Sequence, residues 1–160
     1  MRLKTMLLGL LSLFLVSGSG VSDIPDRGFN PGEKLPSIVV DGVDISEALA
    51  ENPKAVLVVW SVKDATSRVA NAWVCNSTEL QTNHTPIYSI CTDGDDLDAV
   101  LYAKIDGAST LITPKGLEGE GQKRGSLQAL ASRGSSKVYY TSYGMIEKVL
   151  SSKELFRQIQ

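Results

Sequence analysis

Continuous apolar runs alternate with helical periodicity along this chain, and together they predict strands packed against helices. Residues 55–60, AVLVVW, are apolar without interruption, which is typical of a strand covered on both faces in the middle of an α/β sheet. Residues 86–91, PIYSIC, predict a second short buried strand. Between them, residues 64–81 have apolar side chains at helical spacings, which predicts a helix that packs one stripe against the sheet. The predicted stripe consists of Val69, Ala72, Trp73 and Leu80.

Short β-branched runs and turn residues predict a hairpin on each side of this core. In residues 37–46, two such runs flank the Asp-Gly pair at 41–42, which is favoured in tight turns because glycine tolerates positive φ. A short helix follows and ends at the Asn-Pro pair, 52–53, since proline cannot continue it. Residues 137–150 predict two further strands joined by a turn at Gly144.

Capping residues predict two more helices. Asp95 or Asp96 is placed to cap a helix over residues 97–105, because a short carboxylate side chain accepts hydrogen bonds from the first free backbone N–H groups. Ser151 is followed three residues later by Glu154, the spacing of a capping box, which predicts a helix at the C-terminus.

The segment between the helix at 97–105 and the hairpin at 137–150 is rich in glycine. Residues 106–125 predict an exposed loop with one short strand at 111–113, and residues 126–134 a short helix that ends at a glycine. The element order is then hairpin, strand, helix, strand, helix, loop, short helix, hairpin, helix. A βαβ half followed by an antiparallel hairpin predicts an α/β fold with a mixed sheet between helices.

The first 20 residues have the features of a secretory signal peptide: Arg2 and Lys4, an apolar run, then small residues. A permanent membrane anchor is the weaker alternative, because the run is shorter than the ~20 residues that a membrane-spanning helix needs. Loss of both charges would lower the formal net charge from −2 to −4. We expect an exported protein, periplasmic or extracellular, with residues 21–34 as an exposed arm and 35–160 as the folded domain.

The composition indicates one globular domain without a nucleic-acid-binding stripe. Of the 160 residues, 42% are hydrophobic, and the 16 basic and 18 acidic side chains are scattered. Export would permit a disulfide between Cys75 and Cys91. We favour two buried, free thiols, since Cys75 is predicted within a helix and Cys91 at the end of a strand.

This order of elements resembles the thioredoxin fold, and within it the secreted TlpA/ResA-like thiol-disulfide oxidoreductases related to the AhpC/TSA group. Residues 32–49 resemble the family's opening strand, glycine turn and short helix. Residues 55–68 lie over its central strand and active-site helix, where the family has Phe-Trp and then Cys-x-x-Cys-Arg. Residues 86–96 resemble the strand that ends in an Asp, and 135–159 the closing hairpin and helix. The resemblance implies a three-layer sandwich, a mixed central β-sheet flanked by helices, with an N-terminal β-hairpin.

The same resemblance implies that the reactive positions lack sulfur. When the segment is aligned through Trp60 and Arg68, without gaps, Asp64 and Ser67 occupy the two cysteine positions. In the family, the first cysteine forms a thiolate at the helix N-terminus and the second resolves the mixed disulfide. A carboxylate and a hydroxyl cannot perform this exchange. We expect Asp64 to act as the helix N-cap; a catalytic or ligand-binding Asp64 is the alternative.

Other candidate chemistry in the sequence is weak. His84 is the only histidine, and no spacing supplies metal-binding partners, so we expect an ordinary loop residue and no metal. The carboxylates in residues 92–96 resemble the start of a calcium loop but lack its later glycine and glutamate, so a turn and helix cap is the favoured interpretation. The glycines in residues 116–125 lack the Lys-Ser/Thr pair of a phosphate loop. We expect no cofactor.

These features lead to two hypotheses from different classes. The favoured one is a non-enzymatic, redox-inactive thioredoxin-like domain that acts as a binding or scaffold module for a polypeptide at the former active-site end. The family's cis-proline is replaced there by Ser135 or its neighbour, and the candidate surface consists of Trp60, Lys63, Arg68, Ser136 and Tyr139. The alternative is a thiol-disulfide oxidoreductase or peroxide-handling enzyme that uses a single cysteine, Cys75 or Cys91.

Overall fold

A computed structural model describes residues 29–40, 43–113, 115 and 136–159 of the chain. In these residues, seven strands and five helices follow one another in the order that the hydrophobic pattern predicts. They are β1 Val39–Val40, β2 Val43–Asp44, α1 Ile45–Glu51, β3 Ala55–Trp60, α2 Ala65–Cys75, α3 Thr78–Thr82, β4 Ile87–Cys91, α4 Asp96–Asp106, β5 Leu111–Ile112, β6 Lys137–Ser142, β7 Met145–Ser151 and α5 Ser152–Ile159.

The main sheet has five strands in the order β5-β4-β3-β6-β7. The central strand β3 is parallel to β4 and antiparallel to β6, so the predicted mixed sheet is confirmed. The strands β6 and β7 form the predicted hairpin, whose two-residue turn, Tyr143 and Gly144, has positive φ at both positions. Such turns match the twist of the two strands that they connect. The strands β1 and β2 form the predicted N-terminal hairpin, which is a sheet separate from the main one.

Every side chain of β3 is buried because both faces of the sheet are covered. On one face, Leu57 and Val59 pack with Leu49 of α1. On the other face, Val56 and Val58 pack with α2 and α5. Burying one such side chain contributes about 1.5–3 kcal/mol, so the uninterrupted apolar run at 55–60 anchors both layers.

The predicted stripe of α2 is wrong in its position. Val69 and Trp73 are 43% and 41% exposed, while the buried face consists of Ser67, Ala70, Asn71, Val74 and Cys75. The helix also ends earlier than predicted, at Cys75, so Leu80 belongs to the separate helix α3. The apolar periodicity misled because two of the inward positions carry polar side chains that are hydrogen-bonded in the interior.

The described part of the predicted N-terminal arm, residues 29–34, is hydrogen-bonded to the strand β7. The Gly32 N–H donates to the Ile146 carbonyl over 2.7 Å, and the Ile146 N–H donates to Glu33 over 2.9 Å. The strand β7 lies at the edge of the sheet, and the arm satisfies backbone groups that an edge strand leaves open. Phe29 packs against the core cluster below α1.

Several predictions concern residues outside the described ranges: the signal peptide, the turn pair at 41–42, most of the glycine-rich loop and the helix at 126–134. Among the described residues, no helix is long and apolar enough to cross a membrane.

Candidate functional site

The candidate site lies where the central strand β3 ends and α2 begins. Asp64 is the N-cap of α2, as predicted, and its carboxylate accepts a hydrogen bond from the Thr66 N–H over 3.0 Å. A carboxylate at this position also faces the positive end of the helix dipole, and the two effects together are typically worth ~1 kcal/mol. Asp64 therefore has a structural role at the tip of the helix.

Ser67, in the first turn of the same helix, is fully buried. Its hydroxyl donates to the Asp64 carbonyl over 2.8 Å and accepts from the Ser61 N–H over 3.1 Å. Both contacts tie the helix to the loop that precedes it. The hydroxyl is thus used within the protein and is not presented to a substrate.

A second carboxylate, Asp93, holds the same loop from the neighbouring strand. It follows β4, and its two oxygens accept hydrogen bonds from the Ser61 hydroxyl over 2.7 Å and from the Val62 N–H over 2.6 Å. Gly94 beside it has a φ of +85°, and a Cβ built there would lie 2.8 Å from Val62 Cγ2. The loop between β3 and α2 therefore fits closely against the end of β4.

Sequence reasoning interpreted residues 92–96 as a turn and cap and missed this contact. Asp95 does cap α4, accepting from the Asp98 N–H over 2.7 Å. The signal for Asp93 was available: parallel neighbouring strands end at the same edge of a sheet, so a polar residue just after β4 faces whatever follows β3. Reading the two strand ends together would have placed Asp93 at the site.

Three residues of the predicted binding surface are buried, and two of them, Trp60 and Tyr139, are large side chains inside the core. Trp60 and Tyr139 are both 0% exposed. Trp60 packs under α4, and Tyr139 lies opposite Leu57 in the core, where burial raises the pKa of its hydroxyl to about 12. Neither side chain can contact a partner, because each extends from the sheet into a covered layer.

The other predicted positions are distributed around the site. Lys63 is exposed in the loop, and the Arg68 guanidinium stacks on Tyr102 with its Cζ 3.6 Å from the ring centroid. Ser136 is buried, and its carbonyl accepts from the Ser152 N–H over 3.0 Å. Ser136 directly precedes β6, whose last pair with β3 at this end is Val138 opposite Val58. Ser135 lies outside the described residues.

Below the site, a chain of buried polar groups joins four elements. The indole N–H of Trp60 donates to the Ser89 hydroxyl over 2.8 Å, and Ser89 donates to the Asn71 side-chain oxygen over 2.8 Å. The Asn71 amide donates in turn to an Asp106 carboxylate oxygen over 3.0 Å. This network links β3, β4, α2 and α4 and explains why Asn71 faces inward.

The two cysteines are free and buried, as favoured from the sequence. Cys75 is the last residue of α2, at the other end of the helix from Asp64. Burial, together with the nearby charge of Asp106, raises the pKa of its thiol to about 11. Cys91 pairs in register with Trp60, and burial raises the pKa of its thiol as well. Both thiols are held in the protonated form, which is a poor nucleophile.

His84 lies at the other end of the sheet, in the loop that leads into β4. It is exposed, with a φ of 50°. Within the described ranges, no three His, Cys, Asp or Glu side chains are grouped closely enough to hold a metal ion. Because His84 precedes β4 and the candidate site lies at the other end of this strand, the histidine is at the opposite end of β4 from Cys91.

Neither a protein-family model nor a curated protein matches this sequence. Solved structures do match. A thioredoxin-like protein from Parabacteroides distasonis shares 22% identity, with 82% of this chain and 96% of that chain covered and a TM-score of 0.55. A thiol:disulfide interchange protein from Bacteroides sp. shares 14% identity, with 82% and 88% covered and a TM-score of 0.60. A thiol-disulfide oxidoreductase from Bacteroides fragilis shares 15%, with 79% and 97% covered and a TM-score of 0.56.

These similarities establish the fold class. The chain has a thioredoxin-like fold, with a mixed five-stranded sheet between helices and an N-terminal antiparallel hairpin. Its structural neighbours include thiol-disulfide oxidoreductases, and this part of the resemblance deduced from the sequence is confirmed. At 22% identity and below, the likeness concerns the fold and does not extend to the chemistry.

Proposed function

We propose that this chain is an exported, redox-inactive thioredoxin-like domain that acts as a binding or scaffold module. The observation that carries the proposal is the structural role of Asp64 and Ser67, the two residues that the sequence resemblance assigns to the cysteine positions of the redox family. One caps α2 and the other is buried, with its hydroxyl bonded to the loop backbone. Neither group can accept or transfer a disulfide.

The two remaining thiols do not replace the missing pair. Cys75 and Cys91 are buried, and the pKa of each is raised by burial, so thiolate is scarce at neutral pH. Cys91 is the better placed for the alternative enzymatic function, since it pairs with Trp60 at the candidate-site end of the sheet. Its thiol nevertheless donates to the Asp93 carbonyl, beneath the loop.

The surface that we propose for a polypeptide partner is smaller than the sequence suggested. It consists of the exposed loop around Lys63 and the neighbouring Arg68, without the buried Trp60, Ser136 and Tyr139. The loop donates two hydrogen bonds to Asp93, which favours binding because a preformed surface loses little conformational freedom when a partner docks. Export rests on the signal-peptide features of the first 20 residues.

A thiol titration of the folded protein with an aromatic disulfide reagent tests the redox part of the proposal. We expect no rapid reaction in the native state and two thiols per chain after unfolding in denaturant, which serves as the control. An insulin-reduction assay should show no activity above background. The single-cysteine enzyme would instead be supported if one thiol of the native protein reacted within seconds. The Cys91→Ser variant should then lose that reaction.

A paired substitution tests whether Asp64 and Ser67 occupy the redox positions. In Asp64→Cys/Ser67→Cys, the new thiols should form a reversible disulfide, with the first thiol titrating below the ordinary cysteine pKa because it lies at the helix N-terminus. The Asp64→Cys variant alone is the matched control and should form no intramolecular disulfide. A double variant that folds but stays reduced in a glutathione buffer of oxidising potential would contradict the alignment.

A further inference from the structure

A small cavity lies beside α2 and α3, at the end of the sheet opposite the candidate site. Its volume is about 180 Å³. The strands β3 and β6 contribute Val56 and Tyr140 to its lining, and the helices α2 and α3 contribute Trp73 and Leu80. The lining includes the first residues of β3 and a residue just before β4, whereas the candidate site lies where these parallel strands end. The cavity is therefore separate from that site.

Two aromatic side chains line this cavity. Trp73 is 41% exposed, although tryptophan is highly buried on average. Tyr140 is half-buried and lies opposite Val56 in the pairing of β6 with β3. The face of an aromatic ring carries partial negative charge and attracts the slightly positive hydrogens of C–H groups. An accessible indole in the lining of a cavity therefore provides a flat apolar surface for a ligand.

A β-bulge brings a carboxylate to the same cavity. Tyr140 pairs with Lys148, but the next residue, Thr141, pairs with Ile146. Glu147 is therefore the extra residue of β7. Bulges are frequent next to active sites, where they change the direction of a side chain. In this bulge, the inserted residue lines the cavity together with Tyr140.

Polar side chains complete the lining of the cavity. Four of them are exposed: Lys54, Glu79, Asn83 and Glu147. Within the described ranges, none of these four side chains forms a hydrogen bond or an ion pair, so all are available to a ligand. The carboxylates only accept hydrogen bonds, the ammonium group only donates them, and the amide does both. A ligand that satisfies this lining must itself offer both donors and acceptors.

Opposite charges balance around the cavity. Two carboxylates, Glu79 and Glu147, are part of the lining. Two ammonium groups match them: Lys54 in the lining, and Lys148, whose Nζ lies 5.6 Å from the centroid of the Tyr140 ring. An anion or a cation would meet as much repulsion as attraction, and an apolar ligand would leave the polar groups without partners. We propose that the cavity binds one pyranose ring of a neutral sugar.

A pyranose ring matches the lining in its chemistry and its size. C–H groups form one of its faces and pack on an aromatic ring, while each hydroxyl around its rim both donates and accepts. A volume of about 180 Å³ equals that of about six water molecules, below the roughly 300–1,000 Å³ of sites for larger ligands. We expect a dissociation constant on the order of millimolar, because a ring with about 12 non-hydrogen atoms makes few contacts.

An NMR titration of the ¹⁵N-labelled protein with the methyl glycosides of glucose, galactose and mannose tests the proposal. The chain has two tryptophans, so one indole N–H signal reports on the cavity and the other is an internal control. We expect the Trp73 signal to shift with a saturable dependence on at least one glycoside. The Trp60 signal should not move, because this indole is buried and its N–H donates to Ser89.

Substitutions in the lining of the cavity provide the second part of the test. Trp73→Ala removes the stacking surface and Glu147→Gln replaces a charged acceptor with a neutral one, so each should weaken binding roughly tenfold. The backbone N–H signal of Tyr140 follows binding in both variants. Val69→Ala on α2 and Glu51→Gln on α1 are the matched controls, exposed and outside the lining, and should bind like the unsubstituted protein. Circular dichroism verifies that all four variants are folded.

Three results would overturn the proposal. One is a Trp73 signal that does not shift with any of the three glycosides at concentrations well above the millimolar range, or that shifts no more than the Trp60 signal. Another is unchanged binding in Trp73→Ala and Glu147→Gln. The third is tighter binding of choline or glycine, added as charged probes, which would assign the cavity to a cation or a zwitterion.

Discussion

At the scale of single residues, two carboxylates determine what the end of the central strand can do. Asp64 occupies the helix N-terminus with a permanent negative charge, and Asp93 fixes the preceding loop from the next strand. In a redox thioredoxin, the same helix end stabilises a thiolate that comes and goes with the reaction. The Asp64 carboxylate supplies a negative charge at the helix end but contains no sulfur, so it cannot itself exchange disulfides.

Removing the second carboxylate should destabilise the loop. Asp93→Ala leaves the Ser61 hydroxyl and the Val62 N–H without their acceptor, and we expect the free energy of unfolding to fall by about 1–3 kcal/mol. Urea denaturation measures the change. Glu47→Ala, an exposed carboxylate on α1, is the control and should stay within about 0.5 kcal/mol of the unsubstituted protein. Equal stability of both variants would show that the Asp93 contacts contribute nothing.

A third carboxylate should make stability depend on acid pH. Burial acts to raise the pKa of Asp44, but hydrogen bonds from Ser37, Ser46 and the Ile38 backbone outweigh it and lower the pKa below 3.8. A lowered pKa means that the stabilisation is present above the unfolded value and is lost as pH falls through the folded value. Asp44→Asn keeps a good N-cap, so its difference from the unsubstituted protein should shrink as the pH decreases.

Urea denaturation between about pH 5 and pH 2 measures this convergence. Glu47→Gln, in the first turn of the same helix α1, is the matched control. Its difference from the unsubstituted protein should change less over this range. A constant difference for Asp44→Asn at all pH values would contradict the assignment.

At the scale of elements, the sequence predicted local features well and the inward face of α2 poorly. The capping box is present, with the Ser151 N–H donating to Glu154 over 2.7 Å, and Asp95 caps α4. Caps and tight turns depend on residues a few positions apart, so the local sequence contains the required information. Asn71 and Ser67 face inward because of partners on other elements, and periodicity alone cannot reveal them.

The contact between Gly94 and Val62 gives a prediction for how the loop and β4 fit together. Gly94→Ala should lower stability more than Gly32→Ala, although both glycines have positive φ, +85° and +89°. Gly32 has no atom within 4 Å of a built Cβ, so its substitution reports backbone strain alone, about 1 kcal/mol. The excess in Gly94→Ala reports the clash with Val62. Adding Val62→Ala should remove most of that excess in denaturation experiments, and its persistence would argue against a tight fit.

At the scale of the whole molecule, the element order and a few landmark residues together predicted the thioredoxin-like architecture, and the described strands follow it. The site was only half predictable. Asp64 and Ser67 lie in one contiguous segment, whereas Asp93 reaches the loop across about 30 residues of sequence and Trp60 is buried by the distant helix α4. Contacts of this kind depend on how the helices pack on the sheet. The residue pattern of a single sequence does not reveal this packing directly.

The buried network of Trp60, Ser89, Asn71 and Asp106 makes the layers depend on one another, and its charge balance can be tested. Asn71→Asp would place a second carboxylate 3.0 Å from Asp106 in the interior. The new group should have a raised pKa, because burial and the like charge both disfavour its ionised form. The protonated acid can still donate to Asp106, so stability should be nearly normal below the unfolded pKa of about 4 and decrease as the pH rises toward 7.

Denaturation of Asn71→Asp at several pH values between about 4 and 7 measures this loss, which we expect to reach about 3 kcal/mol or more at neutral pH. Asn83→Asp, at an exposed position after α3, controls for the added charge and should show little pH dependence over the same range. A loss in Asn71→Asp that is already complete at pH 4 would indicate a packing defect instead of charge repulsion. A loss that grows with pH would show that the interior at this point accepts one carboxylate, Asp106, only beside an uncharged partner such as the Asn71 amide.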